Sequence, residues 1–482
     1  MKADLAAIPG MRVTVMGLGI HGGGLASALF FARRGARVTV TDLRSREVLR
    51  DPIEQLREYS IRYVLERHDE ADFAGADLVI KNPAVPPSSP YLQVAHGAGV
   101  DVETDLSVFL SLAKNPILAV TGSKGKSTTA SAIAFCLARV FPEARLGGNI
   151  TVSPLAFVDD LSPDAPVVLE LSSWQLGDLK GRGLLTPVVS AFTLILPDHL
   201  DKYPGMEEYV ADKTAIFQEQ GPAQNAIFNL DDPWQQGFPA QTRARPFFYS
   251  ARALPRGMCG AWLEEAGGRS RVAPGGAEES ILGASRIPGA HNRMNLLCAG
   301  LALRLFGVTP DLVRAALAEF PGVEHRLEMF REWEGIRFYN DSAATIPHAT
   351  VQALKALQGP IVLITGGTDK NIDFSPLAET ARIPRTIVLL AGTGTGKIRA
   401  VLDAQGVRYE GPFGSLGEAV DVGIARARDA RTERGVSILF SPGCASFGMF
   451  LNEFDRGKKF KETVTARIAT GPFPETGSRQ SG

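Results

Sequence analysis

One feature constrains this chain more than any other: it restarts the same local grammar of apolar strand, glycine-rich turn and helix at three places. The first is "RVTVMGLGIHGGGLASALFFARRGARVTVTD", with a strand over 12–16, a turn from Gly17 to Gly24 and a helix over 25–34. A second strand follows and ends in Asp42, and a further one, "ADLVIKNPAVP", stops at a Pro-rich turn. The second start lies near "AKNPILAVTGSKGKST" and continues through "APVVLELSS", "TPVVSAFTLIL" and "QNAIFNLDD". The third begins around "GVEHRLEMF" and runs through "IRFYNDSAAT", "PIVLITGGTDKNIDF", "RTIVLLAGTGTGK" and "VSILFSPGCASFGMF".

A chain of this kind is α/β, and 482 residues leave room for about three cores. The expected layout has three domains. Residues 1–112 form a Rossmann-like nucleotide-binding domain, 113–323 a central P-loop-type ATPase domain on a parallel sheet, and 324–482 a Rossmann-like C-terminal domain. Residues 251–290, rich in Gly, Arg and Glu, read as short strands and exposed turns rather than core. The tail "GPFPETGSRQSG" has the composition of disorder.

Composition narrows the function. With 51 basic and 52 acidic side chains, no bulk field favours nucleic acid or a membrane surface. Four scattered cysteines form no disulfide or metal pattern, which suits a reducing cytoplasm. The first residues run straight into a strand, and apolar runs such as "VVSAFTLIL" are far shorter than the roughly 20 residues of a membrane-spanning helix. A cytoplasmic protein is expected.

The chemistry sits in the glycine turns. "AVTGSKGKSTTASAIAFCL" is a strand, a turn and a helix whose backbone N–H groups and helix N-terminus suit an anion. Only Ser123 and Lys124 separate Gly122 from Gly125-Lys126, where the common phosphate loop has about four residues. Lys126 supplies a charge for a β- or γ-phosphate, and Ser127 or Thr128 can ligate Mg²⁺. Glu170 ends a buried strand, where it could ligate a metal or cap a helix. His199 follows another strand, beside Asp198 and Asp201. Lys213 reads, on pattern alone, as a solvated helix lysine. Gly17, Gly19 and Gly22 match a dinucleotide fingerprint with Asp42 at the ribose-binding distance, which could equally hold NAD, another nucleotide or a tight turn. The late "GTGTGK" mimics a phosphate loop, but no Ser or Thr follows Lys397, so it reads as a decoy.

In this order, the motifs resemble the Mur ligase family of ATP-dependent amide-forming enzymes, over roughly residues 10 to 465. The shortened T-G-x-x-G-K-S-T loop is that family's form. "ELSSWQL", "PDHLDKYPGMEEY", "HNRMN", "EHRLE", "NDSAAT", "GGTDKNIDF" and "SPGCASFGMFLNEFDRGKKF" point to its D-glutamate-adding branch. The resemblance implies a ligase that joins D-glutamate to UDP-N-acetylmuramoyl-L-alanine through an acyl phosphate, in peptidoglycan precursor synthesis. It implies ATP as co-substrate, two Mg²⁺ ions, a carbamate on Lys213, and a monomer with small-molecule partners only. Gly17, Leu18, Gly19, Ile20, His21, Asp42, Leu43 and Asn149 would then hold the UDP-sugar. Gly122, Ser123, Lys124, Gly125, Lys126, Ser127, Thr128, Asn292, Arg326 and Asp341 would bind ATP. Ser127, Glu170, His199 and Lys213 would surround the metals, with Lys126, His199 and Lys213 catalytic. Thr345, Lys370, Ser446 and Phe454 would read glutamate's carboxylates, and closure of the third domain would assemble the site. Lys124, Ala343 and Gly448 depart from the family pattern, and the last two leave the hand of the glutamate open. Ligation to another acceptor, as in folylpolyglutamate synthetases, and a non-catalytic nucleotide-binding scaffold are the alternatives. A dehydrogenase would leave the phosphate loop without a task.

Overall fold

The structure, a computed structural model, describes residues 5–19, 22–150, 152–198, 203–369, 372–433, 435–446 and 448–469. Among these residues the strands form three sheets. The first contains β1 (Arg12–Met16), β2 (Arg37–Asp42), β3 (Arg62–Leu65), β4 (Leu78–Lys81) and β5 (Asp101–Glu103), parallel throughout in the order β3-β2-β1-β4-β5. The order reverses between β1 and β4, so the connections leave those two strands in opposite directions and open a crevice at their carboxyl ends. The Gly17 turn borders that crevice on one side and Asn82 on the other.

The second sheet holds β6 (Ile117–Thr121), β7 (Arg145–Gly148), β8 (Val167–Glu170), β9 (Val189–Phe192), β10 (Asn225–Asn229), β11 (Arg245–Ser250), β12 (Gly260–Glu264), β13 (Gly267–Arg271) and β14 (Glu279–Leu282). Its order is β14-β13-β12-β11-β10-β9-β6-β8-β7, parallel except for the antiparallel β12-β13-β14 extension. Strands β6, β8 and β9 are buried along their length, which explains their unbroken apolar runs. Behind them Phe192, Phe217, Phe228 and Phe238 form a cluster with ring centroids 5.0 to 6.4 Å apart. Each buried ring contributes roughly 2–3 kcal/mol over an exposed one. The expectation that 251–290 lies outside the core needs correction. Trp262, Ile281 and Leu282 are buried there, and the strands that carry them lengthen the sheet. The short strands themselves are as expected.

The third sheet contains β15 (Glu328–Trp333), β16 (Ile336–Asn340), β17 (Ile361–Thr365), β18 (Thr386–Leu390), β19 (Glu410–Phe413) and β20 (Val436–Phe440), in the order β15-β16-β20-β17-β18-β19. Only β15 runs antiparallel to its neighbour. By compactness the chain divides into two units, Met1–Ser285 with Arg293–Phe320, and Arg286–Asn292 with Pro321–Gly482. The first two sheets belong to the former and the third to the latter. Among the described residues no helix is long and apolar enough to cross a membrane.

Candidate active site

The short glycine loop follows β6 as the sequence requires. Gly122 has φ +145°, and a Cβ there would lie 2.0 Å from Thr193 Oγ1. Gly125 has φ +93°, and its Cβ would lie 2.3 Å from Asn295 Oδ1. Both positions therefore demand glycine, for space and for backbone hand alike. The turn is stitched to the segment after β9. Ser123 N–H donates to the Leu194 carbonyl at 2.6 Å, and Leu194 N–H to the Lys124 carbonyl at 3.3 Å. The Ser123 hydroxyl donates to the Leu196 carbonyl at 2.8 Å, accepts from Leu196 N–H at 3.0 Å and meets the Tyr209 hydroxyl at 2.9 Å. Lys126 opens the helix Lys126–Leu137 and donates Nζ to the carbonyls of Gly122 and Ser123, at 2.9 and 3.0 Å. Ser127 is buried and Thr128 half-buried in the first turn, where helix N–H groups favour an anion. Lys124 is exposed and pairs with Asp198 at 3.3 Å.

Two further groups converge on this loop. Glu170 ends β8 and is 1 % exposed. Its Oε1 accepts from Asn149 Nδ2 at 3.0 Å, while its Oε2 has no hydrogen-bond partner among the described residues. Asn149 N–H also donates to the Glu170 carbonyl at 2.8 Å, so the two residues are held together twice. Lys213, on the helix Met206–Gln218, is 1 % exposed and donates Nζ to the Gly122 carbonyl at 2.9 Å. It lies 4.5 Å from the centre of the Tyr209 ring. Burial, helped by the charge of Lys126, pulls its pKa down to about 6 against the opposing pull of Asp198, Glu170 and Asp212. The side chain read from local pattern as solvated is therefore buried, and largely uncharged at pH 7.

An orphaned carboxylate oxygen, a buried helix-start hydroxyl and an amine able to stay neutral form a donor set that fits a hard divalent cation once the amine carries a carboxylate. His199 lies outside the described residues, as do Ile20, His21 and Lys370.

At the first sheet's crevice, Gly17 and Gly19 have φ +88° and +65°, and Leu18 is fully buried. Asp42 is buried and accepts from Gly19 N–H at 3.0 Å and from Arg44 N–H at 2.9 Å. It braces the turn through one oxygen and the β2 exit through the other. Leu43 beside it is exposed. Asn149 lies against Glu170 rather than with this group.

In the second unit Asp341 follows β16, accepting from Leu327 N–H at 3.0 Å and from the Ser441 hydroxyl at 2.7 Å. Burial raises its pKa to about 7, against hydrogen bonds from Ser441 and Leu327 and the charges of Arg326 and Arg456. Arg326 is exposed, and Asn292 is buried with Nδ2 on the Pro288 carbonyl at 2.7 Å. Ser446 is buried on the wall of a cavity of about 300 Å³ that Gly366, Gly367, Thr368 and Arg456 also line. Thr345 is half-buried, while Phe454 is exposed with its ring 6.0 Å from that of His325. Lys397 of "GTGTGK" pairs with Asp369 at 2.7 Å.

Sequence reasoning missed three supporting residues. Tyr209 sits one turn before Lys213, an i, i+4 spacing that could have marked it. Asn295 packs under Gly125 from a distant helix, without a local signal. Arg456 is 1 % exposed and donates to the Ser342 hydroxyl and carbonyl and to the Cys444 carbonyl at 2.7 to 3.0 Å. It ties the loops after β16 and β20 together and so sets Ser446.

Comparison with known proteins gives the family. Residues 120–303 match the Mur ligase middle domain, and residues 11–104 the Mur ligase MurD-like N-terminal domain. The UDP-N-acetylmuramoylalanine–D-glutamate ligase of Treponema pallidum is 40 % identical, over 96 % of this chain and 99 % of that protein. The enzyme of the same name from Roseiflexus sp. is 41 % identical, over 95 % and 99 %. Among solved structures, a UDP-N-acetylmuramate-alanine ligase from Thermotoga maritima shares the fold at TM-score 0.61 and 20 % identity, over 95 % of this chain and all of that one. With relatives this similar over nearly their whole length, the chain belongs to the Mur ligase family.

Proposed function

We propose that this chain is an ATP-dependent amide-forming ligase that adds D-glutamate to UDP-N-acetylmuramoyl-L-alanine, in cytoplasmic synthesis of peptidoglycan precursors. The relatives' names supply the substrates. One observation carries the chemistry: Lys126 and Lys213 both reach the Gly122 carbonyl, at 2.9 Å each, beside a glycine loop that suits a polyphosphate.

The γ-phosphoryl group of ATP passes to the acceptor's terminal carboxylate, giving an acyl phosphate and ADP. Glutamate's free amine then attacks the acyl carbon, the C–O bond to phosphate breaks, and the nitrogen gives up one proton while keeping the other as the amide N–H. The loop N–H groups and Lys126 hold the phosphates and offset the charge that develops during transfer. Ser127, Glu170, His199 and a carbamate on Lys213 would hold the two Mg²⁺ ions, which supply further charge neutralisation at the transferred group. Lys213 is suited to that modification because its neutral amine can add CO₂, forming an N–C bond and releasing one proton. Asn149 orients Glu170.

The division of labour we infer gives 1–112 the UDP-sugar at the Gly17 turn, with Asp42 bracing it. It gives 113–323 the ATP and metals, and 324–482 the amino acid. Asn292, Arg326 and Asp341 would approach the nucleotide, and Thr345, Lys370, Ser446 and Phe454 the glutamate, with the chain acting as a monomer.

ADP release that requires both UDP-N-acetylmuramoyl-L-alanine and glutamate, with Mg²⁺ present, is the expected result. Release without any amino acid would identify an uncoupled ATPase instead. D- and L-glutamate compared in the same assay test the hand of the substrate at Ala343 and Gly448.

A further inference from the structure

Within the first unit, the carboxyl ends of β4 and β5 are bound to the helix that follows Glu170. Lys81, the last residue of β4, is 7 % exposed and places Nζ 2.7 Å from Asp178 Oδ2 and 3.3 Å from the Val85 carbonyl. On β5, Glu103 receives Arg182 Nη2 on both oxygens, at 2.6 and 2.8 Å, and the Ser107 hydroxyl on one of them. Asp178 lies on the helix Ser173–Leu179, which the Ser172–Gln175 capping box starts two residues after Glu170. Arg182 lies just beyond that helix.

Both ends of the Lys81–Asp178 pair touch the machinery of the reaction without entering it. On one side, Asn82 follows Lys81, donates its N–H to the Met16 carbonyl at 3.0 Å, and packs so closely on the turn that a Cβ at Gly17 would lie 3.2 Å from its own. On the other, Gly177 precedes Asp178, and a Cβ there would lie 2.8 Å from Asp212 Oδ2, the neighbour of Lys213. Lys180, just after the first helix, places Nζ 3.8 Å from Asp212 Oδ1 on the second, and the Tyr203 ring lies 5.4 Å from that of Tyr209. An ion pair buried to this degree resists sliding, because separating its charges leaves each without compensation.

We propose that Lys81 and Asp178 are positioning residues for the ligation. Their buried ion pair fixes the Gly17 turn, where the sugar nucleotide would sit, at one distance from the helix Ser173–Leu179 and, through it, from the helix that carries Lys213. The acceptor's carboxylate is thereby held in line with the phosphate loop. The proposal rests on the functional reading above. It requires no contact between either residue and a substrate.

The test is steady-state kinetics on the full chain, with melting temperatures recorded alongside. Lys81→Met lowers kcat at saturating substrates about ten- to a hundredfold, the scale expected of a small misplacement. The KM for ATP stays within about twofold, since the loop itself is untouched. Lys81→Arg restores most of kcat. Should Lys81→Met fail to fold, the double variant K81M/D178L, which replaces the pair with apolar side chains, provides a folded protein with the same loss of kcat. Wild-type kcat in the folded single or double variant overturns the positioning role, and a lowered melting temperature with unchanged kcat does the same. Absence of glutamate-dependent ADP release from the wild-type chain would instead overturn the functional reading, so the two failures are distinct.

Discussion

Lys213 Nζ donates to the carbonyl of Gly122 at 2.9 Å, and so joins a helix lysine to the first residue of the phosphate loop. The bond crosses 91 residues of sequence and fixes a largely neutral amine against the loop, where the proposed carbamate would offer its oxygens to a divalent cation. Replacing Lys213 with Ala should lower kcat by at least about a hundredfold, a loss comparable to removing a main electrostatic contributor. Short carboxylic acids added to the assay should restore part of the rate by supplying the missing oxygens. Full activity of the variant would remove the carbamate from the mechanism.

Asn149 Nδ2 steadies Glu170 from 3.0 Å, leaving the other carboxylate oxygen available. Asn149→Ala should raise the Mg²⁺ concentration for half-maximal rate about tenfold or more, as expected when a group orienting a ligand is lost. A Mg²⁺ titration of the rate measures this directly.

Gly125 combines φ +93° with Asn295 Oδ1 in the space a methyl would need. Gly125→Ala should cost about 1–2 kcal/mol from backbone hand alone. In a unit of this size the melting temperature should fall by about 1.5–3 °C. ADP affinity should fall with it, because the substitution displaces the N–H groups around the loop. Calorimetric titration with ADP checks the second effect.

Asp341 contributes a pH dependence to the second unit. Its folded pKa of about 7 stands above the unfolded value of 3.8, so the folded state retains a proton that the unfolded chain has released. Its contribution to stability is therefore fully present below about pH 4 and is lost as pH rises towards 7, by about 4 kcal/mol in all. Asp341→Asn should flatten this slope between pH 4 and 7 and make the variant more stable than the parent at pH 8. Denaturant melts across that range give the comparison.

The strand, glycine turn and helix at 117–137 were legible because their signals are local. Strand, glycines and helix start occur within residues 117–137, and the structure has Ile117–Thr121 and Lys126–Leu137 in those states. The Gly17 turn was legible for the same reason. Lys213 was not, since nothing in "EYVADKTAIF" reveals that its helix is buried under β6 and the loop; only the resemblance to a family singled it out. Residues 251–290 misled because their Gly, Arg and Glu content masks the short apolar runs that bury Trp262 and Ile281. Lys81 and Asp178, 97 positions apart, offer no local sign of each other. Polar pairs formed across a fold are invisible to periodicity, and here they join the elements that carry the chemistry.

The hydroxyl of Ser123, gripped by both backbone groups of Leu196 and by Tyr209, has one further consequence. A loop two residues shorter than the common form has no slack of its own, and its neighbours supply the rigidity. If ATP binds as proposed, an arriving nucleotide would find the cradle already cast, so little affinity would be lost to ordering the chain, and more of the contact energy would remain to grip the phosphates.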